Sequence, residues 1–263
     1  MSPPRISWCG EEYVSVRLAD HVDMHTVADV LRLQQLVSES AVAAAVVAAV
    51  PGWSTLLLWL DPDRPEAGQE RIESTLREAT KSAAERVITF ESRVLTLPTQ
   101  YGGDAGPDLE LVAKVNNLSV TETVECLQSP QFAGMVSFSP GMANCMWVDQ
   151  ARALTAPKYD SPRTYTPPGT VGLGGSSISL YSVASPGGFQ MVGRLAVPIY
   201  QAKPTLPAFE DSPTLIRPGD RIVLQAVEAH EADSIAEQVY RGSYAYDIGP
   251  GACRVEGGAL TWL

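Results

Sequence analysis

The sequence predicts an α+β protein: a ferredoxin-like N-terminal subdomain followed by a β-barrel subdomain. Two observations support this fold class. The first ~95 residues alternate strand-like and helix-like patterns, whereas from Ala133 onward short β-prone runs are separated by glycine and proline, a pattern typical of compact β-barrels. The chain has 263 residues, 45% of them hydrophobic, which is enough to bury a sizeable core.

The N-terminal subdomain is expected over residues 1–97. Residues 13–18 alternate apolar and polar side chains, as a half-buried strand does. Two helices are indicated by apolar residues at helical spacing, namely Val27, Val30, Leu31 and Val37 in the first and Ile72, Leu76, Ala79 and Ala83 in the second.

Residues 41–50 allow two interpretations. Their alanines favour a helix, but the Pro51-Gly52 pair followed by the β-prone run 53–60 also fits a hairpin. With the hairpin and a last strand over residues 86–97, the order becomes β-α-β-β-α-β, which is that of a ferredoxin-like fold.

The barrel subdomain is expected over residues 98–230, followed by a C-terminal extension over residues 231–263. Residues 107–117 predict a short helix with proline at its first position. Ser119 and Glu122 fit a capping box that opens a second helix, which extends to about Gln128. A turn around Pro218-Gly219 leads into a strand, and residues 234–240 predict a further short helix.

Composition excludes several classes of function. The formal charge of -11 disfavours nucleic acids and anionic membranes as partners, because phosphate binding needs clustered lysine and arginine. The four cysteines are far apart, as expected for reduced thiols in the cytoplasm. No apolar stretch is long enough to cross a bilayer, and the N-terminus lacks the apolar core of a signal peptide.

The stretch 156–194 carries the most functional information. Its irregularly spaced glycines and prolines favour a backbone-lined pocket over a linker. Arg163 and Arg194 flank its glycines and could each bind a carboxylate, a carbamate or a carboxyphosphate in bidentate fashion. Arginines equally often tie loops through backbone carbonyls. Gln190 either reads a urea-like group with its amide or points outward.

A second candidate lies at residues 101–108, which read Tyr-Gly-Gly-Asp-Ala-Gly-Pro-Asp and lead into a helix N-terminus. Such a terminus attracts anions. Tyr101 and Asp104 are therefore candidate substrate-binding residues. Asp104 or Asp108 could act as a base, although an aspartate at this place is more often a cap or a partner of the helix dipole.

Two sharper hypotheses have weak support. His21 and His25 are four residues apart, which on a helix would place both imidazoles on one face, as in a zinc pair. No third ligand is evident, so no metal site is predicted. Ser176 and Ser177 follow two glycines as in the amidase signature, but no activating lysine lies at a suitable position, and a glycine turn entering a strand explains the pattern.

Four motifs together resemble a known family. They occur in order as Tyr-Gly-Gly-Asp-Ala-Gly-Pro-Asp-Leu at 101–109, Phe-Ser-Pro-Gly at 138–141, Thr-Pro-Pro-Gly-Thr-Val-Gly-Leu-Gly-Gly at 166–175 and Ser-Pro-Gly-Gly-Phe-Gln-Met-Val-Gly-Arg at 185–194. The set is similar to the carboxyltransferase C–D subdomain family. That family includes allophanate hydrolase subunit 1, the B subunit of 5-oxoprolinase, the sporulation-kinase inhibitor and the matching part of urea carboxylase.

The resemblance implies that the barrel is cyclophilin-like and that the chain works with a partner, the family's subunit 2, in a heteromeric enzyme. Such assemblies move carboxyl groups on or off urea-like nitrogen or open a lactam with ATP. This chain is expected to bind no cofactor itself, and biotin or ATP is implied on partner chains. Arg163, Gln190 and Arg194 would then hold the substrate, and amides near Gly174 and Gly175 would stabilise oxyanion charge.

The sequence departs from the family pattern at one place. Members commonly continue Phe-x-Pro-Gly with Phe-Pro-Tyr-Leu, whereas Met142-Ala143-Asn144-Cys145 follows here. If this segment lines the pocket, Asn144 contacts the substrate, and the substrate differs from that of the familiar members.

Two other functions compete with the enzymatic one. The chain could be a regulatory module that inhibits a partner such as a kinase, with a vestigial pocket. It could also be an independent cyclophilin-like isomerase, which rests on fold alone, and fold does not carry function.

Overall fold

The computed structural model describes residues 4–85, 87–136, 139–256 and 259–263. Arg86, the first residue of one predicted strand, and Phe138, the first residue of the Phe-Ser-Pro-Gly motif, lie outside the described residues. The chain divides into two compact units. The first, here called the sheet unit, contains Met1–Ser92 and Pro250–Leu263, and the second, the barrel unit, contains Arg93–Gly249.

Strands and helices follow one another along both units. The strands are β1 (Arg5–Cys9), β2 (Tyr13–Arg17), β3 (Val46–Pro51), β4 (Thr55–Leu60), β5 (Ile88–Tyr101), β6 (Gln131–Val136), β7 (Ala143–Trp147), β8 (Arg163–Thr166), β9 (Thr170–Gly174), β10 (Ser177–Leu180), β11 (Ser185–Gly187), β12 (Gln190–Leu195), β13 (Arg221–Ala226), β14 (Asp247–Glu256) and β15 (Ala259–Trp262). The helices are α1 (Met24–Ser38), α2 (Gln69–Glu85), α3 (Leu109–Val115), α4 (Val120–Gln128) and α5 (Ala229–Tyr240). None of these described helices is both long and apolar enough to span a membrane.

In the sheet unit, the described strands β1 to β4 form an antiparallel sheet in the order β1-β2-β4-β3. The hairpin interpretation of residues 41–60 is confirmed, because β3 pairs with β4. One face of the sheet packs its alternate residues, such as Val14, Val16 and Leu58, into a core with apolar residues of α1 and α2. This alternation follows from the two-residue period of a strand.

The assignment of a fourth strand, residues 86–97, to this sheet was wrong. The place beside β2 is taken by β1. A tight turn at Gly10, with φ of 66°, connects these two antiparallel strands. The strand expected over residues 86–97 is instead part of β5, which pairs with β12 and β13. Strand patterning fixes which face is buried but does not fix the pairing partner.

In the barrel unit, seven described strands run in the order β12-β9-β10-β7-β6-β13-β5, and pairing of β5 with β12 closes the barrel. The expected barrel is therefore confirmed. Its interior is filled by alternate residues of these strands, with Trp147 as the largest fully buried side chain. The Trp147 Nε1–H donates to the Cys126 carbonyl at 2.9 Å, which satisfies the indole in an apolar core.

Two local sets of hydrogen bonds stabilise the barrel unit. The capping box is confirmed: the Ser119 hydroxyl accepts from Glu122 N, and the Glu122 carboxylate accepts from Ser119 N. After the predicted turn, the buried Asp220 accepts hydrogen bonds from Arg217 N and from the Arg93 guanidinium. Asp220 thereby connects the start of β13 to β5.

Candidate functional site

A groove of about 540 Å³ opens in the barrel unit where β5 and β13 end and α5 begins. Its walls come from residues 100–105, from Val124 of α4, from Arg194 of β12 and from residues 226–229. Three of the predicted substrate-binding residues, Tyr101, Asp104 and Arg194, therefore lie on one surface. A concave surface with a few convergent polar groups is the usual form of a small-molecule site.

Arg194 is the cation of this groove. Its Nη2 donates to the Asp104 carbonyl at 3.3 Å. Its Nε is buried and has no hydrogen-bond partner among the described residues. Asp104 and Glu228 belong to the same lining, so one cationic and two acidic residues occur among the described lining residues.

Tyr101 is anchored by its side chain, and the backbone that follows it lines the groove. Its hydroxyl donates to the Leu224 carbonyl at 3.0 Å, and burial raises the pKa of this phenol well above its usual range. The next two residues, Gly102 and Gly103, have φ of 70° and 50°, values that glycine adopts without strain. The chain thus turns tightly here, and its main chain lines the groove.

A second polar cluster contains Arg163. Its Nη2 donates to the Phe189 carbonyl at 2.6 Å, and its guanidinium lies 4.5 Å from the centre of the Tyr159 ring. Its Nη1 lies 4.0 Å from the Asp108 carboxylate. The Nε and Nη1 of Arg163 are buried without a hydrogen-bond partner in the described part of the chain.

The Asp108 side chain does not have the capping role that its sequence position favoured. Asp108 is the N-cap residue of α3, but its side chain does not cap the helix. The carboxylate accepts the Tyr159 hydroxyl at 2.6 Å and the Met191 N–H at 2.7 Å. Asp108 therefore ties the start of α3 to β12. Tyr159 was missed by the sequence reasoning, because no local signal links residues 51 positions apart.

Gln190 points inward. It is buried, and its Nε2 donates to the Pro157 carbonyl at 2.8 Å. Its Oε1 has no partner within the described residues. Of the two alternatives, the outward orientation is excluded.

The two glycines expected to supply oxyanion donors lie at the turn from β9 to β10. The Gly175 N–H donates to the Ala156 carbonyl at 2.8 Å, so this amide is already engaged. A Cβ on Gly174 would lie 2.6 Å from the Phe189 ring, which explains the need for glycine by close packing. The geometry supports a structural role for the Gly175 amide.

Asn144 lies in β7, opposite Ser179 of β10. Its Oδ1 accepts the Ser179 hydroxyl at 2.6 Å, and both side chains are buried. Its Nδ2 has no hydrogen-bond partner among the residues described. Asn144 is thus not among the residues that line the Arg194 groove.

The structure also describes the residues of the two remaining hypotheses, the metal site and the serine nucleophile. His21 precedes the first residue of α1, Met24, so the two histidines do not share a helix face. Within the described ranges no group of three or more histidine, cysteine or acidic residues is arranged to hold a metal ion. The Ser177 hydroxyl donates to the Gly174 carbonyl at 3.2 Å, as expected for a turn residue.

Comparison with known proteins agrees with this architecture. Residues 4–209 match the family described as carboxyltransferase domain, subdomain C and D. The chain belongs to this family. The B subunit of 5-oxoprolinase from Escherichia coli O157:H7 is 32% identical over 84% of this chain and 95% of its own length. The corresponding subunit from Bacillus subtilis is 29% identical over 71% of this chain and 77% of its own length.

The fold also occurs within a larger enzyme. The crystal structure of Kluyveromyces lactis urea carboxylase aligns with a TM-score of 0.78 at 20% identity, over 95% of this chain. The chain spans 24% of that longer polypeptide. This likeness confirms the fold class of the family member described here.

Proposed function

We propose that this chain is one subunit of a heteromeric enzyme that processes a urea-like, amide or lactam substrate together with a subunit 2 of the same family. Family membership and the relatives named as B subunits of 5-oxoprolinase support this class of complex. The observation that carries the proposal is the groove that presents Arg194 next to Asp104 and Glu228.

The charges of the groove suit an amide-type ligand. A guanidinium binds carboxylate or carbonyl oxygen through paired N–H donors, and Arg194 is the cationic residue among the described lining residues of the groove. Carboxylates accept hydrogen bonds from the N–H groups of ureas, amides and lactams. Arg194 would therefore hold the oxygen side of the substrate, and Asp104 or Glu228 its nitrogen side.

The groove does not fit a nucleotide triphosphate. Such a group needs several cations or a glycine-rich loop of backbone amides, whereas the groove has one arginine beside two carboxylates. We therefore place ATP, or biotin in a carboxyl-transferring complex, on a partner chain. The role of this chain is to bind and orient the substrate.

Asn144 lies outside the lining of the Arg194 groove, so this scheme gives it no contact with the substrate. Its side-chain amide stands where the family pattern has an aromatic residue, and it holds Ser179 while keeping a buried Nδ2 without a partner among the described residues. Replacing an aromatic side chain by an amide exchanges apolar contact area for hydrogen-bonding capacity. Asn144→Tyr is therefore expected to crowd the buried Ser179 and lower stability, and not to change which substrate the groove binds.

The test is turnover by the complex reconstituted from this chain and its subunit 2. Arg194→Ala should lower kcat/KM about 30- to 100-fold, as expected for the loss of a charged hydrogen bond to substrate. Arg194→Lys should restore part of the activity, because lysine keeps the charge without the planar fork. The matched control is Arg152→Ala, at an exposed arginine of a short 3-10 helix.

Unchanged kinetics in Arg194→Ala, with the complex assembled, would remove the groove from the site. Recovery of a protein kinase instead of a subunit 2 from the native host would favour the regulatory alternative.

A further inference from the structure

The sheet unit has an exposed face opposite its helix-packed core. We call this surface the open face, and it consists of the outward residues of β1 to β4. Register divides it into three rows across the strands. The first row contains Arg5, Arg17 and Thr55, the middle row Ser7, Ser15, Leu57 and Val50, and the last row Cys9, Tyr13, Trp59 and Ala48.

The middle and last rows are unusually apolar for an exposed surface. The exposed fractions are 42% for Trp59, 39% for Leu57 and 44% for Val50. The rings of Tyr13 and Trp59 stack with centroids 6.2 Å apart and planes 16° apart. Contiguous exposed apolar residues of this kind usually mark an interaction surface.

The first row is cationic. Arg5 and Arg17 are register partners on β1 and β2, and both guanidiniums bind the carboxylate of Asp20. This shared anion keeps the two cations together at one end of the face. The aromatic pair Tyr13 and Trp59 lies at the opposite end, on the other side of the middle row.

We propose that the open face is the contact surface between two copies of this chain. A two-fold axis along the middle row reverses the strand direction in the second copy. The arginine row of each copy then meets the aromatic row of the other, and the Leu57 row meets itself. Guanidinium groups over aromatic faces are favourable, and an isologous interface requires this kind of self-complementarity.

The area of the face sets the strength of the dimer. Four strands of about five residues present roughly 300 Å² of sheet, from strand spacings of about 4.8 Å and a rise of about 3.3 Å per residue. A standard interface buries about 800 Å² per partner. The dimer is therefore expected to be weak and to form only at high chain concentration. The net charge of -11 opposes association, so physiological salt, which screens it, is the right condition.

Sedimentation velocity of the full chain from about 5 to about 500 µM in ~0.15 M salt, a range set by the weak affinity expected, tests the proposal. Leu57→Glu should abolish the dimer, and Arg17→Ala and Trp59→Ala should each weaken it about tenfold. The control is Leu111→Glu, an equally exposed leucine of α3 in the barrel unit, which should dimerise as the unchanged chain does. Thermal denaturation verifies that each variant folds.

A cross-link tests the geometry. In a Cys9→Ser background, Ser15→Cys places a thiol in the middle row, next to the axis, and a short bis-maleimide should join two copies. The native Cys9 lies in the last row and faces the arginine row, so the unchanged chain should not cross-link through it.

Three results would overturn the proposal. The first is a monomer at all concentrations, and the second is a dimer unaffected by Leu57→Glu. The third is that the unchanged chain is monomeric and that Leu57→Glu abolishes its binding to subunit 2. The last result would assign the open face to subunit 2 instead. None of these measurements depends on the Arg194 groove, so the proposed function stands or fails separately.

Discussion

Asp220→Ala is expected to lower the free energy of unfolding of the barrel unit by about 3 kcal/mol. The carboxylate accepts from Arg93 Nε at 3.0 Å, from Arg93 Nη2 at 2.5 Å and from Arg217 N at 2.7 Å. Removing one partner of a buried ion pair typically costs about 3–5 kcal/mol. The lower end applies, because the Arg93 side chain is 26% exposed and water compensates part of its charge.

For a unit of this size, such a loss lowers Tm by about 6–12 °C. Urea denaturation followed by tryptophan fluorescence and by circular dichroism measures the free energy directly. Asp220→Asn should lose less, since it keeps one acceptor oxygen, and Asp233→Ala on the exposed surface of α5 is the control. A change within about 1 kcal/mol in Asp220→Ala would refute the reasoning, because it is the value expected for an exposed pair.

Three further predictions concern stability. The hydroxyl of the half-buried Tyr246 donates to a backbone carbonyl, and burial raises the pKa of Tyr246; its contribution to stability is therefore complete below about pH 10 and is lost as the pH rises. Urea titrations between about pH 8 and 11 should show a shallower loss for Tyr246→Phe but not for the exposed Tyr240→Phe. Gly193→Ala brings a Cβ to 2.5 Å from a backbone oxygen of the facing strand and should cost about 1–3 kcal/mol, whereas Gly68→Ala, with nothing within 4 Å, should be neutral. Ser119→Ala removes the capping box of α4 and should cost about 1 kcal/mol; an unchanged urea midpoint would argue against a role for this cap.

Local signals in the sequence predicted local structure well. The capping box at Ser119 is complete within four residues, and the hairpin of β3 and β4 follows from a turn between two β-prone runs. Each of these signals involves groups that meet whatever the rest of the chain does. They are therefore readable without knowledge of the tertiary fold.

Strand partners could not be predicted in the same way. Pro98 was predicted to begin the barrel subdomain, at the boundary after residue 97. In the structure β5 continues through it: Pro98 lies opposite Gln225 of the parallel strand β13, and its carbonyl accepts from Ala196 N at 2.8 Å. The missing N–H is tolerated because the ladder continues on both sides of this residue.

The candidate site likewise contains residues that the local sequence predicted and residues that it did not. Arg194 and Asp104 were expected from their glycine-rich surroundings and lie on one groove. Glu228 was missed, because the last helix was expected to begin at Ser234 and instead begins at Ala229, with Glu228 as its N-cap. The roles of Asp108 and Gln190 depend on partners more than thirty positions away, which spacing alone does not reveal.

The course of β5 has a consequence for how this gene can be cut or joined. Residues 94–99 pair with β13, and residues 99–101 pair with β12, so this one strand closes the barrel between them. A fragment that starts at residue 98 would lose most of the ladder with β13 together with Arg93, the partner of Asp220. The barrel would then expose two unpaired strand edges, which invite aggregation. A breakpoint before Arg93 keeps these pairings, and a domain swap designed on this rule must carry both segments of the sheet unit, Met1–Ser92 and Pro250–Leu263.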